Sequence, residues 1–203
     1  MNPTARARST RERCSSHPEF APSTWRKTVS KAMRISFDID DTLVCPRADA
    51  PNEPGWVPNF IHGWLGEPLR QGTRLLFQEL RRRGFSIWIY TTSVRTPFQI
   101  RLWLILHGIR VDGVINEERH RTQLAGRRFA RVPSKYPPAF GIDLHVDDSE
   151  GVKMEGQEHG FLVVLVRPND EHWGKVVLGA IEQVMDASPH SRDRVEHLPA
   201  KPQ

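Results

Sequence analysis

A chain of 203 residues, 26% charged and with a formal net charge of +5, is long enough for one domain with a self-sufficient core. The charge is confined to one end: residues 1–32 carry seven Lys and Arg against two Glu, so residues 33–203 are neutral and their global charge draws in no polyanion. Two cysteines, Cys14 and Cys45, make neither a disulfide framework nor a metal cluster and point to a reducing, cytoplasmic setting, and no apolar run reaches the ~20 residues of a membrane span.

Residues 1–32 are rich in Arg and Ser, a weak likeness to a transit peptide. Met33-Arg34-Ile35 opens directly into an apolar run, so this stretch reads as a disordered basic tail, or as sequence upstream of the natural start, rather than as a targeting segment. Ile35 and Phe37 then alternate as in a short strand. It ends in Asp38, Asp40 and Asp41, with Thr42 following. A turn can use one or two Asp as caps. Clustered carboxylates at the mouth of a buried strand instead raise one another's pKa and cost stability, unless a cation or ligand is shared among them.

Residues 45–70 are rich in Pro and Gly and read as loop, with Trp56, Phe60 and Trp64 about one helical turn apart in a short helix that packs the loop onto the body. Gly72 to Arg83 follows as a helix with Leu75, Leu76 and Leu80 on one face and Gly84 as its cap. Arg81, Arg82 and Arg83 fall in its last turn, where the dipole favours cations. Phe85–Tyr90 is the second strand and runs into Thr91-Thr92-Ser93. Thr96 and Pro97 open a helix that runs to His107 before Gly108, and Val111–Ile115 is the third strand. Residues 116–141 show no clear period but hold Arg119, His120, Arg121, Arg127, Arg128, Arg131 and Lys135. Ile142–Val146 is a fourth strand leading into Asp147-Asp148-Ser149, followed by a Ser-led helix. Phe161–Val166 is the fifth strand, Asp170–Met185 a closing amphipathic helix, and 187–203 a disordered tail.

Strands alternating with helices predict an α/β domain over residues 33–186, with a mostly parallel five-stranded sheet and helices on both faces. Ligands of such sheets lie beyond the carboxyl ends of the strands. The polar clusters sit there: Asp38, Asp40 and Thr42 after strand one, Thr91 to Ser93 after strand two, and Asp147 with Asp148 after strand four.

In these residues the chain resembles the haloacid dehalogenase (HAD) superfamily of aspartate-nucleophile phosphatases, over roughly Met33 to Met185. Phe37-Asp38-Ile39-Asp40-Asp41-Thr42-Leu43 looks like its first motif, hhDxDxT. Tyr90-Thr91-Thr92-Ser93 looks like the second, and His145-Val146-Asp147-Asp148-Ser149 like the fourth. The resemblance implies a HAD-like, Rossmannoid fold and a phosphomonoester hydrolase in which Asp38 attacks phosphorus to form an aspartyl-phosphate. Asp40 would act as general acid and then base, and Thr91 would hydrogen-bond a phosphoryl oxygen. Mg²⁺ would be held by the Asp38 carboxylate, the Asp40 backbone carbonyl and Asp148, with Asp147 either a ligand or a support for Asp148 and metal-bound waters. The third motif is a Lys ahead of strand four. Lys135 is the candidate, although it lies in Pro133-Ser134-Lys135-Tyr136-Pro137 rather than on a clear helix. An acid at Asp40 favours phosphoryl transfer over dehalogenation.

Residues 43–71 and 116–141 are each too short for a large cap domain, so the site is expected to be open, suiting a bulky phosphorylated substrate or closure by a partner subunit. The arginines of 119–131 offer contacts to an extra phosphate or to a nucleic-acid backbone, or form a solvated loop. His145, inside strand four, reads as a satisfied core histidine, and Cys45 as a small packed thiol. Two other readings keep the fold: a catalytically idle module that binds a phosphorylated ligand or partner, and a phosphatase of nucleic-acid ends. The intact Asp38, Asp40, Thr91 and Asp147/Asp148 argue against the first.

Overall fold

The structure, a computed structural model, describes residues 32–45, 51–54 and 68–187. The short helix expected around Trp56, Phe60 and Trp64, and the expected tails over 1–31 and 188–203, lie outside the described residues.

Residues that alternate between apolar and polar need a sheet with two different faces, and β1 (Arg34–Phe37) supplies one. It lies at the centre of a five-stranded sheet of order β3-β2-β1-β4-β5. The other strands are β2 (Ser86–Tyr90), β3 (Gly113–Ile115), β4 (Leu144–Asp147) and β5 (Val163–Leu165), and every pairing is parallel. The fold is therefore α/β with an all-parallel sheet. From β1 the chain moves outward through β2 and β3, then crosses back to place β4 on the other side of β1. That reversal opens a crevice between the carboxyl ends of β1 and β4.

On one face, Ile35 stands level with Ile87 and Leu144, and Phe37 with Ile89 and Val146. All belong to the main apolar core. The helices α1 (Thr73–Arg82), α2 (Pro97–Leu106) and α5 (Trp173–Ala187) close over this face, inserting Phe77 and Leu80, Trp103 and Leu104, and Trp173 and Ile181. The ring of Phe37 lies 4.7 Å from that of Phe77 and 6.5 Å from that of Trp173. The other face presents Ser36, level with Trp88 and His145. It is covered by α3 (Glu117–Leu124), a 3-10 turn over Pro137–Phe140 and α4 (Glu150–His159). Here the Tyr90 ring meets His120 of α3 and Phe140.

The helix termini follow their capping residues. Thr96 and Gln99 form a reciprocal capping box at the start of α2, and Ser149 caps α4. Leu76, Phe77 and Leu80 form the buried stripe of α1, whereas Leu75, expected on that stripe, is 73% exposed. The basic triplet at the end of α1 is spent on ion pairs: Arg81 with Asp112, Arg82 and Arg83 with Glu79, and Arg83 with Glu182. Helix α3 lies in the segment that shows no apolar period. Its sole buried residue is Leu124, and Asn116 caps it ahead of Glu117 and Glu118; the end signals define it, not its face. The closing helix starts at Trp173 rather than Asp170, whose carboxylate instead accepts from the His172 N–H at 2.7 Å. No helix among the described residues is long and apolar enough to cross a membrane.

Gly113 pairs with Trp88 across β2 and β3, and a Cβ at Gly113 would stand 2.2 Å from the indole ring. The guanidinium of Arg34 lies 5.1 Å and that of Arg119 5.7 Å from the ring's centroid. Gly113→Ala must push this ring off its site. The expected result is a loss of about 1–3 kcal/mol in chemical denaturation; an unchanged midpoint would show that the ring moves freely.

Candidate active site

The loop after β1 begins as the last rung of the strand, where Asp38 N–H donates to Val146 O at 2.9 Å. The chain then folds back tightly. The N–H groups of Thr42, Leu43 and Val44 all point at Ile39 O, at 3.3, 2.9 and 2.8 Å, and Asp41 takes φ 59°, a left-handed conformation that Asp tolerates better than most residues. Arg70, almost fully buried, fixes the far side of this turn. Its guanidinium donates to Thr42 O at 3.2 Å, and to Arg167 O and Asp170 O at 2.6 and 2.8 Å, and it stacks on Trp173.

Lys135 enters from the segment ahead of β4. It is only 3% exposed, so its ammonium group needs partners in the interior. The backbone is anchored first. Glu155 of α4 accepts from Ser134 N–H at 2.9 Å, from the Ser134 hydroxyl at 2.7 Å and from Lys135 N–H at 3.4 Å. Tyr136 N–H donates to the Tyr90 hydroxyl at 2.7 Å. The side chain then reaches between two carboxylates, with Nζ 2.7 Å from Asp38 Oδ1 and 2.5 Å from Asp147 Oδ2.

Asp147 is held by two further groups. His145 Nε2 lies 2.9 Å from Oδ2, and Ser149 N–H donates to Oδ1 at 2.9 Å. A carboxylate only accepts, so His145 Nε2 carries the proton, and Nδ1 is left to accept from the Ser36 hydroxyl at 2.8 Å. A buried chain results: Ser36, His145, Asp147, Lys135, Asp38. Burial holds His145 below the ordinary imidazole value, as a neutral ring. Burial alone would raise Asp147, but the His145 hydrogen bond and the Lys135 charge outweigh it and hold the carboxyl well below its usual range. Lys135 would likewise be pushed down by burial, and the charges of Asp38 and Asp147 push it up instead. Asp38 is the strained member. Burial raises it to about 7, with Lys135 opposing and Asp147 adding to the rise. Its Oδ1 has Lys135 as a charge partner but no aligned hydrogen bond among the described residues.

Asp148 stands apart from this chain. It is half-buried and lies 3.4 Å from the Thr42 hydroxyl, and burial followed by the Asp147 charge pushes its carboxyl up. Carboxylate oxygens of Asp38, Asp147 and Asp148 all lie within 4.8 Å of one another. Three carboxylates against one ammonium leave an excess of negative charge in a partly dry crevice. An all-oxygen donor set with this excess of negative charge suits a hard divalent cation such as Mg²⁺. Asp148 is the least committed of the three and Asp147 the most.

Thr91, at the end of β2, is fully buried, and its hydroxyl accepts from Ser93 N–H at 3.1 Å, which leaves the hydroxyl hydrogen to donate. Asp40 is placed differently. Its side chain is 54% exposed and pairs with Arg95 at 2.9 Å, outside the three-carboxylate cluster. Cys45 is buried, with Sγ 3.5 Å from Asp41 O. Lys153 lies on the outer face of α4, 3.7 Å from Glu150.

Sequence reasoning missed the part played by His145 and Ser36. The signal was present: each lies two residues before an active-site Asp on the same strand, and so on the same face of the sheet. His145 is indeed a satisfied buried histidine, and what satisfies it is Asp147. Arg95 and Glu155 carry no such signal, because their partners are 55 and 21 residues away.

No family model matches the chain, and no curated protein matches it. Among solved structures it is similar to a predicted HAD-like family hydrolase from Porphyromonas gingivalis, at 10% identity and a TM-score of 0.40, over 77% of this chain and 99% of that one. A likeness at that level assigns no activity.

Proposed function

We propose that the chain is a HAD-type, Mg²⁺-dependent phosphomonoester hydrolase that works through an aspartyl-phosphate on Asp38. The observation that carries this is the Lys135 ammonium held between Asp38 and Asp147 at the mouth of the sheet, with Asp148 completing an oxygen triad. A buried lysine between carboxylates is costly as a mere core feature. It is apt where a nucleophilic carboxylate must approach a phosphate dianion.

In this reading Asp38, Asp148 and the Asp40 carbonyl would hold Mg²⁺, which would supply positive charge to offset that of the transferring phosphoryl group. Asp38 attacks phosphorus in line as the bond to the leaving oxygen breaks. Lys135 orients the nucleophile through Oδ1 and faces the charge on the equatorial oxygens. Thr91 donates its hydroxyl to one of those oxygens. Asp40 gives a proton to the leaving oxygen; for that its carboxylate turns away from Arg95. It then takes a proton from the water that attacks phosphorus, the bond to Asp38 breaks and the carboxylate is restored.

The expected outcome is hydrolysis of an aryl phosphate that needs Mg²⁺ and stops with chelator. Asp38→Asn should lower kcat by at least about 10³-fold. Equal silence of native and variant proteins on a panel of phosphate esters would sink the reading and favour a binding module.

Lys135→Met leaves two carboxylates facing each other without a counter-charge. It should lower kcat by about 10²–10³-fold. A variant with near-native rates would remove Lys135 from the mechanism.

His145→Leu leaves Asp147 short of a donor and the Ser36 hydroxyl without its acceptor. A stability loss of about 1–3 kcal/mol is expected. Calorimetry on the folded variant should also show Mg²⁺ affinity weakened about 10–100-fold, with partial recovery in His145→Gln. Native Mg²⁺ affinity in folded His145→Leu would reduce the residue to a structural role.

A further inference from the structure

A pocket of about 570 Å³ opens between α3 and residues 125–134, with Thr92, His120, Arg121, Leu124, Arg127 and Ser134 in its lining. Two of these are chain neighbours of active-site candidates: Thr92 follows Thr91, and Ser134 precedes Lys135. The pocket wall also shares its scaffold with the lysine. The Tyr90 hydroxyl accepts from Tyr136 N–H, so its proton is directed to His120 Nδ1 at 2.5 Å. The pocket lining is therefore one residue along the chain from Thr91 and from Lys135, and is braced by the same residues.

Several arginines elsewhere are spent on carboxylates, as in Arg81–Asp112, Arg83–Glu79 and Arg95–Asp40. Arg119 is spent on Val114 O and on the rings of Trp88 and Phe140. Arg121 and Arg127, in the pocket lining, form no ion pair among the described residues. Arg127 is steadied by the Tyr136 ring, 5.9 Å from its guanidinium carbon. Glu117 is the carboxylate of the lining, and it leaves the two arginines in excess. Two cations without an ion pair among the described residues, beside an apolar floor at Leu124, fit a ligand with an organic body and an anionic group.

We infer that this pocket holds the leaving group of the substrate, and that the leaving group carries a second phosphate bound by Arg121 and Arg127. The reaction rests on the hydrolase reading above; the binding does not. An open pocket of this size has room for a sugar or nucleoside. A polymer would call for a long basic track, and the ordered body is neutral, with its Arg81–Arg83 triplet already paired.

The test compares a nucleoside 3′,5′-bisphosphate with the matching 5′-monophosphate. Native protein should show a kcat/KM at least about tenfold higher for the bisphosphate. In the double variant Arg121→Gln/Arg127→Gln the ratio should fall toward one, whereas Arg128→Gln, outside the lining, keeps it. A native ratio near one, or a ratio that survives the double variant, overturns the inference. So does a 5′-phosphorylated oligonucleotide that outcompetes the bisphosphate with a steep salt dependence, which would make the occupant a polymer. Calorimetry of the bisphosphate on Asp38→Asn protein separates binding from chemistry. There the two arginine changes should weaken affinity at least about tenfold. If binding falls in this way but nothing is hydrolysed, the hydrolase reading fails and the pocket stands; unchanged or absent binding overturns the pocket.

Discussion

An ammonium group taken out of water costs several kcal/mol unless opposite charge meets it, and Lys135 is met by two carboxylates. The dependence runs both ways: without the lysine, Asp38 and Asp147 would face each other across a dry crevice. The surrounding structure serves this one contact. Glu155 fixes the backbone on which the lysine rides, and Tyr90 fixes the next residue. His145 and Ser149 fix Asp147, and the β1–β4 ladder fixes Asp38. Active-site geometry here is a by-product of satisfying buried polar groups, each of which needs a partner for the chain to fold.

The sheet was legible in the sequence because its strands are short, apolar and punctuated by strong turn and cap signals. All five strands overlap the predicted runs; β2, β3 and β5 are trimmed at their ends, and β4 starts two residues later than expected and runs one residue further, to Asp147. Helix α3 was not legible, because a helix whose sole buried residue is Leu124 leaves no 3.6-residue period. Leu75 was assigned inward by spacing, but the stripe of α1 turns on Phe77 instead. Within the site, residues fixed by local chain geometry were readable: Asp38, Thr91 and the acidic pair fall at strand ends. The outward turn of Asp40 was not, since it depends on Arg95, a residue from a different loop.

Arg70 shows how such loops are joined. By donating to Thr42 O on one side and to Arg167 O and Asp170 O on the other, it ties the turn after β1 to the segment after β5. A planar guanidinium can bind several carbonyls at once, and lysine could not replace it here. The turn that carries Asp40 is thus braced from beyond the sheet edge.

The contrast between the two faces of β1 has a consequence for how the chain tolerates error. Ile35 and Phe37 drive burial; Ser36 and Asp38, interleaved with them, belong to the polar chain. Stability and chemistry are thus drawn from alternate residues of one short segment. A slip of a single position against β2 and β4 would exchange them, sending carboxylate and hydroxyl into hydrocarbon and an aromatic ring into the crevice. Such misregistered states would lose on both counts together. The apolar face therefore does more than hold the domain together: it proofreads the placement of Asp38.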